Sequence, residues 1–199
     1  MAMGNSEESP RDERAEWNRR YRERPGSWKE PDLFLEQAFR EYVSPLFPMG
    51  GHALDLAGGA GRNAIWLAKQ NWQVTLADIS EVGIALAKEN AGSLAGSIEF
   101  QVDNLRTFHA TTDLYNLVLV FFYLDRAIFP EIVRSIRPGG LLVYKTYTVV
   151  NPKPTGGPTD PAFLLQPGEL LRCFWQLQTL FYRETIRDRG VAELIAKKV

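Results

Sequence analysis

Apolar residues along the chain come in short blocks separated by glycine, proline and small polar residues. The blocks follow two rhythms. The run beginning at Ala53 and the stretches 73–77, 97–102, 115–122 and 141–147 have the length and composition of strands, with 115–122 apolar enough to be buried on both faces. Between them the pattern predicts helices over 63–70, 80–95 and near 128–137, with Pro130 in a first-turn position. Pro138-Gly139-Gly140 breaks the last of these helices and launches the next strand. Upstream, Asp32 is placed to cap a helix over 33–43 whose Leu35, Ala38, Phe39 and Tyr42 form one apolar stripe. Alternating strands and helices require parallel pairing through crossovers that cover both sheet faces. The stretches 174–184 and 191–197 read as a closing hairpin, with Arg187 to Gly190 in its turn. The expected fold is therefore α/β: a doubly wound sheet of about seven strands, mostly parallel, with an antiparallel C-terminal hairpin and helices on both faces.

The first strand runs Ala53-Leu-Asp-Leu into Ala57-Gly-Gly-Ala-Gly-Arg-Asn63, where a helical pattern begins. Glycines at 58, 59 and 61 remove Cβ atoms where the strand must turn sharply and where a ligand approaches the backbone. The helix behind them aims free N–H groups and a positive dipole end at the same place. The stretch 59–64 also fits the pattern G-x-G-x-x-G/A, so the turn alone does not separate a nicotinamide enzyme from other nucleotide-like binders. A tight turn that binds nothing is the plain alternative. The neighbourhood favours a ligand. The second strand ends at Asp78, followed by Ile79, where an acid can accept both ribose hydroxyls, while Ser80 is available as a helix cap. The third strand runs into Asp103-Asn104-Leu105, a carboxylate for an exocyclic amine and an apolar cover for a ring.

With Asp55 to Gly61, Asp78, Asp103 and the Arg137-Pro-Gly-Gly140 turn, the sequence resembles the class I S-adenosylmethionine (SAM)-dependent methyltransferases, whose fold is Rossmann-like. The resemblance covers about residues 50 to 147 well and the ends more loosely. Within the class it is similar to the small tellurite-resistance (TehB-like) and thiopurine methyltransferase-like group, through Gly61-Arg-Asn63 and through Trp17-Asn-Arg-Arg-Tyr21, Trp28 and Pro31 upstream. One position departs from the pattern: Ala57 stands where the turn often has its first glycine.

The resemblance implies SAM as cofactor and S-adenosylhomocysteine as product. The cofactor-side residues are Asp55, Ala57, Gly58, Gly59, Gly61, Arg62, Asn63, Asp78, Ile79, Asp103, Asn104, Leu105, Phe121, Phe122 and Trp17. Backbone amides of 59–62 approach the methionine portion, Asp55 helps to bind its amino group, Asp78 takes the ribose and Asp103 the adenine. Tyr21, Tyr123, Lys145 and Tyr147 are candidates for the acceptor pocket, and no general base or metal ligand is assigned. A small-molecule acceptor is expected, a thiol or a selenium or tellurium oxyanion or a similar soft nucleophile. A SAM-binding regulator without turnover is a second reading. A nicotinamide-dependent oxidoreductase is a third, which the absence of a Tyr-x-x-x-Lys pair opposes.

Composition changes this picture little. The 199 residues suffice for one domain burying about 70% of its unfolded surface. A net charge of −1 builds in no general attraction to nucleic acid or to an anionic membrane. Arginine-rich 11–24 carries six arginines, but four acids dilute their field. No apolar run approaches a membrane span, and residues 1–12 lack the apolar segment of a secretory signal. One cysteine, Cys173, cannot form an internal disulfide, which fits a reducing cytoplasm. The expected organisation is a single domain over 1–199: residues 1–12 disordered, a helical lid over 13–45, and a sheet core over 50–199 with a flexible loop at 148–166. Four prolines and two glycines fill that loop, which emerges on the ligand-binding edge of the sheet. Trp17 and Tyr21 are four apart, on one face of the lid helix. His52 lies at the wrong end of its strand, and His109 is read as a loop residue.

Overall fold

The computed structural model describes residues 10–24, 29–150, 157–186 and 190–199. It contains one seven-stranded sheet in the order β3-β2-β1-β4-β5-β7-β6. Strands β1 (His52–Leu56), β2 (Gln73–Asp78), β3 (Ile98–Val102), β4 (Tyr115–Phe121) and β5 (Ile136–Tyr147) run parallel. The hairpin β6 (Gln178–Thr185) and β7 (Val191–Lys197) joins β5 antiparallel. The reversal of strand order falls between β1 and β4, so a crevice opens at their carboxyl ends, directly beside the glycine turn.

The period-two alternation of the strands divides the core between the two faces. Leu117, Leu119, Phe121, Leu141 and Val143 face one side, against α4 (Arg62–Lys69), α5 (Glu81–Ala91) and Phe34 of α2 (Leu33–Ala38). Val118, Val120, Leu142 and Tyr144 face the other, against α6 (Phe129–Ser135) and Phe174. Every residue of β4 is buried, as its apolar run from Leu117 to Phe121 requires, and buried Asn116 accepts from the His52 amide at 3.1 Å. Asp32 caps α2 by accepting from the Phe34 amide, and Ser80 caps α5 by accepting from the Gly83 amide. The helix begun by α2 continues through a π turn, Phe39–Val43, into α3 (Ser44–Leu46). Helix α1 (Pro10–Glu23) opens within the stretch 1–12 expected to lack order, and residues 1–9 lie outside the described ones.

Three boundaries differ from the sequence reading. The helix expected near 128–137 ends at Ser135, and β5 starts at Ile136, with Pro138-Gly139-Gly140 inside the strand. The residue before a proline is pushed to extended backbone, and Ile136 already pairs with Tyr115. The extra length is absorbed by a register shift between Tyr115 and Leu117, with Gly139 at φ +81°. The helix over 80–95 stops at Ala91 and tightens into a 3₁₀ turn over Gly92–Ser97. The stretch 174–177 is not strand. It finishes a short helix, α7 (Glu169–Cys173): the Phe174 amide bonds Leu170 O at 3.0 Å, and this turn drops the Phe174 ring into the core. Trp28, the hairpin turn residues 187–189 and the loop segment 151–156 lie outside the described residues.

Candidate functional site

The glycine turn is built on positive φ angles: +55° at Ala57, +56° at Gly59 and +82° at Gly61, the residue that caps α4. Ala57 adopts this conformation with a Cβ, at a cost of about 1 kcal/mol, so the departure from glycine does not prevent the turn. Beneath it lie two buried carboxylates. Asp78 accepts from the Gly59 amide at 2.9 Å through one oxygen and from the Ser80 amide at 2.8 Å through the other. Burial pushes its pKa up to about 6 against the pull of those two bonds. Asp55, 1% exposed, has no hydrogen-bond partner on either carboxylate oxygen. Burial pushes it up to about 7, with the nearby Arg62 guanidinium and, more weakly, the Ala64 backbone amide, near it without a full hydrogen bond, pulling the other way. Gly58 must lack a side chain here, because a Cβ would stand 2.7 Å from the Asp55 carboxylate.

Helix α1 supplies the cover. Its Tyr21 hydroxyl lies directly over Gly59, where a Cβ would overlap it, and its ring packs on Gly83. Burial and the neighbouring Asp78 raise the Tyr21 pKa, so this phenol stays protonated. Tyr21, expected in the acceptor pocket, is thus a residue of the glycine turn. Trp17 stands one helical turn away, its ring centroid 6.0 Å from that of Tyr21. Sequence reasoning missed Asn18, which keys α1 to the start of α5. Its Oδ1 accepts from Ser80 Oγ at 2.6 Å and from the Val82 amide at 3.3 Å, and its Nδ2 donates to Glu81 at 2.9 Å. The available signal was its spacing from Tyr21, i to i+3 on one helix face.

The remaining candidates separate into three groups. The Asp103 amide bonds Asp78 O at 2.9 Å, which brings 103 beside the second carboxylate, with half-buried Ile79 adjacent. Asn104 accepts from the Arg106 amide as a turn cap, and Leu105 is buried in the core. Phe121 is a correction: it packs against Phe34 in the core instead of lining a site, because alternation puts it on the face of Leu117 and Leu119. Phe122 is different. With φ +57° it turns out of the strand, and Arg62, Lys145 and Tyr147 surround its ring at 5.8, 5.6 and 5.1 Å. Lys145 is committed to an ion network, 2.8 Å from Asp32 and 3.3 Å from Glu193. Asp32 also reaches Arg62 at 3.7 Å, and its backbone amide donates to Asn63 Oδ1 at 3.1 Å. These contacts tie the α2 cap to the first turn of α4. Lys145 and Asn63 therefore brace the turn from behind.

Tyr123 faces a cleft of about 450 Å³, bounded by Glu13, Arg106, Asp125, Ala162 and Phe163. Burial, with Asp125 and Glu13 nearby, raises its pKa. Arg126 fixes one wall. Its guanidinium donates to Glu169 at 2.6 and 3.1 Å, to Ala162 O at 2.7 Å and to Leu164 O at 3.0 Å. His109 is an exposed loop residue and His52 sits at the far end of β1. No cluster of metal-binding side chains exists among the described residues, and no described helix is long and apolar enough to cross a membrane.

Fold and turn together define the class: this is the architecture of the class I SAM-dependent methyltransferases. Residues 53–140, which span the turn and both buried carboxylates, match the family described as a methyltransferase domain. No curated protein matches the sequence. Among solved structures, TehB from Haemophilus influenzae superposes with a TM-score of 0.70 at 17% identity, over 92% of this chain and 67% of that one. The geranyl diphosphate C-methyltransferase of Streptomyces coelicolor A3(2), in complex with Mg2+, geranyl diphosphate and S-adenosyl-L-homocysteine, gives 0.72 at 14% identity over 99% and 100%. The [4+2]-cyclase SpnF gives 0.64 at 16% identity over 81% of each chain. SAM is the cofactor the domain implies, and the buried charges fit it. A buried carboxylate without a full hydrogen bond at Asp55 and a half-buried cation at Arg62 are the kinds of group that an ammonium and a carboxylate would pair with.

Proposed function

We propose that the protein transfers a methyl group from SAM to a small-molecule acceptor held in the cleft beside Tyr123. The unpartnered Asp55 carboxylate, buried under the glycine turn, carries this reading. Leaving such a group without partners costs about 1–3 kcal/mol or more, and a bound ammonium relieves that cost. SAM, when bound, supplies an activated methyl group on a sulfonium. The chain's part is to hold the donor, orient the acceptor and exclude water, which is worth up to about 7–11 kcal/mol of barrier.

In this reading Asp55 receives the amino group, Arg62 faces the carboxylate, Asp78 takes the ribose with the lone pairs its two amide bonds leave, and Asp103 serves the adenine. Tyr21 and Trp17 cover the turn. Tyr123, Phe122 and Tyr147 border the path from donor to acceptor. Tyr21 and Tyr123, with raised pKa values, stay protonated and have no free site to accept a proton as a base, so a thiol or another soft nucleophile that needs none suits the site. A SAM-binding regulator or accessory protein without turnover is the second reading, since one fold hosts several functions; it would bind SAM and transfer nothing to any acceptor.

Isothermal titration with SAM, S-adenosylhomocysteine and NAD tests the first step. Binding of the first two, with loss in Asp55→Asn, is expected. Binding of NAD alone overturns the assignment.

A further inference from the structure

One helix borders both halves of the crevice. The inward side of α1 carries Glu13, Trp17, Asn18 and Tyr21, while Arg14, Glu16, Arg19, Arg20, Arg22 and Glu23 are exposed. Near its carboxyl end Tyr21 lies over Gly59 of the donor turn. Some ~12 Å earlier along the axis, Glu13 borders the cleft and stands 3.7 Å from Arg106, which in turn lies 3.6 Å from Asp125. Asn18, 5% exposed, sits between the two ends. It accepts from Ser80 Oγ at 2.6 Å and from the Val82 amide at 3.3 Å, and it donates to Glu81 at 2.9 Å. Two ion pairs of α1, Arg19 with Glu23 and Arg20 with Glu16, are internal. They support it as a helix and do not dock it. Trp17 and Tyr21 supply apolar contact, which is non-directional: two rings lay the helix down without setting where along α5 it stops. Hydrogen bonds have a fixed geometry, and those of Asn18 reach the buried cap Ser80 and the first turn of α5. They set the register, so Tyr21 and Glu13 arrive at their places together.

We propose that Asn18 is a positioning residue that joins the two halves of the crevice: through it, the cover on the glycine turn and the Glu13 wall of the cleft form and open as one event. A bound donor then leaves only as fast as α1 lifts. By the same coupling, a molecule that fills the cleft first holds α1 down and shuts the donor out, so the donor enters first. The inference rests on the methyl-transfer reading for naming the donor, but the joint seating of the two ends stands on the geometry of α1 alone.

The test compares the full-length parent with Asn18→Ala and with the double variant Asn18→Asp/Glu81→Gln, which restores the side-chain pair with donor and acceptor exchanged. Without ligand, trypsin cutting after the exposed arginines 14, 19, 20 and 22 reports the lifting of α1. Cutting there is expected to be about tenfold faster in Asn18→Ala, with cuts elsewhere in the chain unchanged. The amide NMR signals of 106 and 123–127 should shift in the same variant, and the double variant should return toward the parent in both readouts. With S-adenosylhomocysteine, dissociation should be about tenfold faster in Asn18→Ala while association is not slowed. Ligand binding should slow the cutting of α1 in the parent. An unchanged cutting or dissociation rate in Asn18→Ala overturns the proposal. So does faster cutting throughout the chain, which marks a general loss of stability, or a double variant that behaves like Asn18→Ala. Faster cutting of α1 that leaves the signals at 106 and 123–127 in place also overturns it, because the helix would then not join the halves. If S-adenosylhomocysteine fails to bind the parent while the ligand-free readouts move as expected, the methyltransferase assignment falls and the joint seating remains.

Discussion

The two halves of the crevice are built by opposite means. The half under the glycine turn is drawn from one stretch of about 25 residues and made largely of backbone. Asp78 holds the Gly59 and Ser80 amides, and Asp55 lies 1% exposed with no partner. The half beside Tyr123 is made of side chains from four distant segments, with Glu13, Arg106, Asp125 and Phe163 meeting only in the folded state. Its charges are partly exposed and loosely paired. A backbone-built site is rigid and constrained residue by residue. A side-chain-built site can change composition without unmaking the sheet, which is the division of labour expected when one donor serves many acceptors.

That contrast has a graded set of consequences. The largest effect is expected from Gly59→Ala, which adds a Cβ at positive φ into the Tyr21 hydroxyl. Urea unfolding should show a loss of about 3 kcal/mol, partly recovered when Tyr21→Phe removes the first atom struck. Asp78→Ala leaves two amides without their acceptor and should weaken SAM binding by about 1.5–3 kcal/mol in a calorimetric titration. Unchanged affinity would detach Asp78 from the ligand.

Asp55 and Asp78 give the turn half a pH signature. Both are raised in the folded state, to about 7 and about 6, from an ordinary value of 3.8. The folded protein therefore binds more protons than the unfolded chain across this window. Stability contributed by these acids is complete below pH about 4 and is lost as pH rises through about 6 to 7. Asp55→Asn should flatten the upper part of that fall and raise apoprotein stability at pH 8 by about 1–2 kcal/mol. The thermal shift given by SAM should be greater at pH 8 than at pH 5 in the parent, and small at both in the variant, whose SAM binding is lost.

In the cleft half, Arg126→Lys loses the bidentate hold on Glu169 and should cost about 1 kcal/mol of stability. It should raise the acceptor KM while leaving SAM affinity unchanged. A shift in SAM affinity instead would mean that the halves are coupled through this wall as well as through α1. His109→Gln, at an exposed loop position, belongs to neither half and should change stability by less than about 0.5 kcal/mol.

The same contrast explains what the sequence disclosed. Strand–helix alternation, the glycine turn and the caps Asp32 and Ser80 are legible because each depends on neighbours within a few residues. Phe121 and Phe122 show where that ends. Both are apolar residues at a strand end, and only the backbone at 122, with φ +57°, sends one out of the core that keeps the other. Pro138-Gly139-Gly140 carries a strong break signal, yet its pairing with the chain end is non-local: the Gly139 amide reaches Lys198 O, and the Lys198 amide reaches Gly140 O. Asn18 left only its spacing from Tyr21 as a trace, and the Glu13–Arg106–Asp125 cluster left none, because their partners lie far along the chain.

The way Arg126 holds its wall bears on how such a protein diversifies. Of its four hydrogen bonds to the chain after β5, two go to the backbone carbonyls of Ala162 and Leu164 and two to one side chain, Glu169, just past the loop. A clasp that grips the main chain is indifferent to which residues stand at the exposed positions 161 and 162. The stretch 157–163 is thus an exchangeable cassette: its side chains can be rewritten while the buried Leu164 and Leu165, the clasp, the sheet and the donor half stay as they are. Selection can search for new acceptors there at little structural risk.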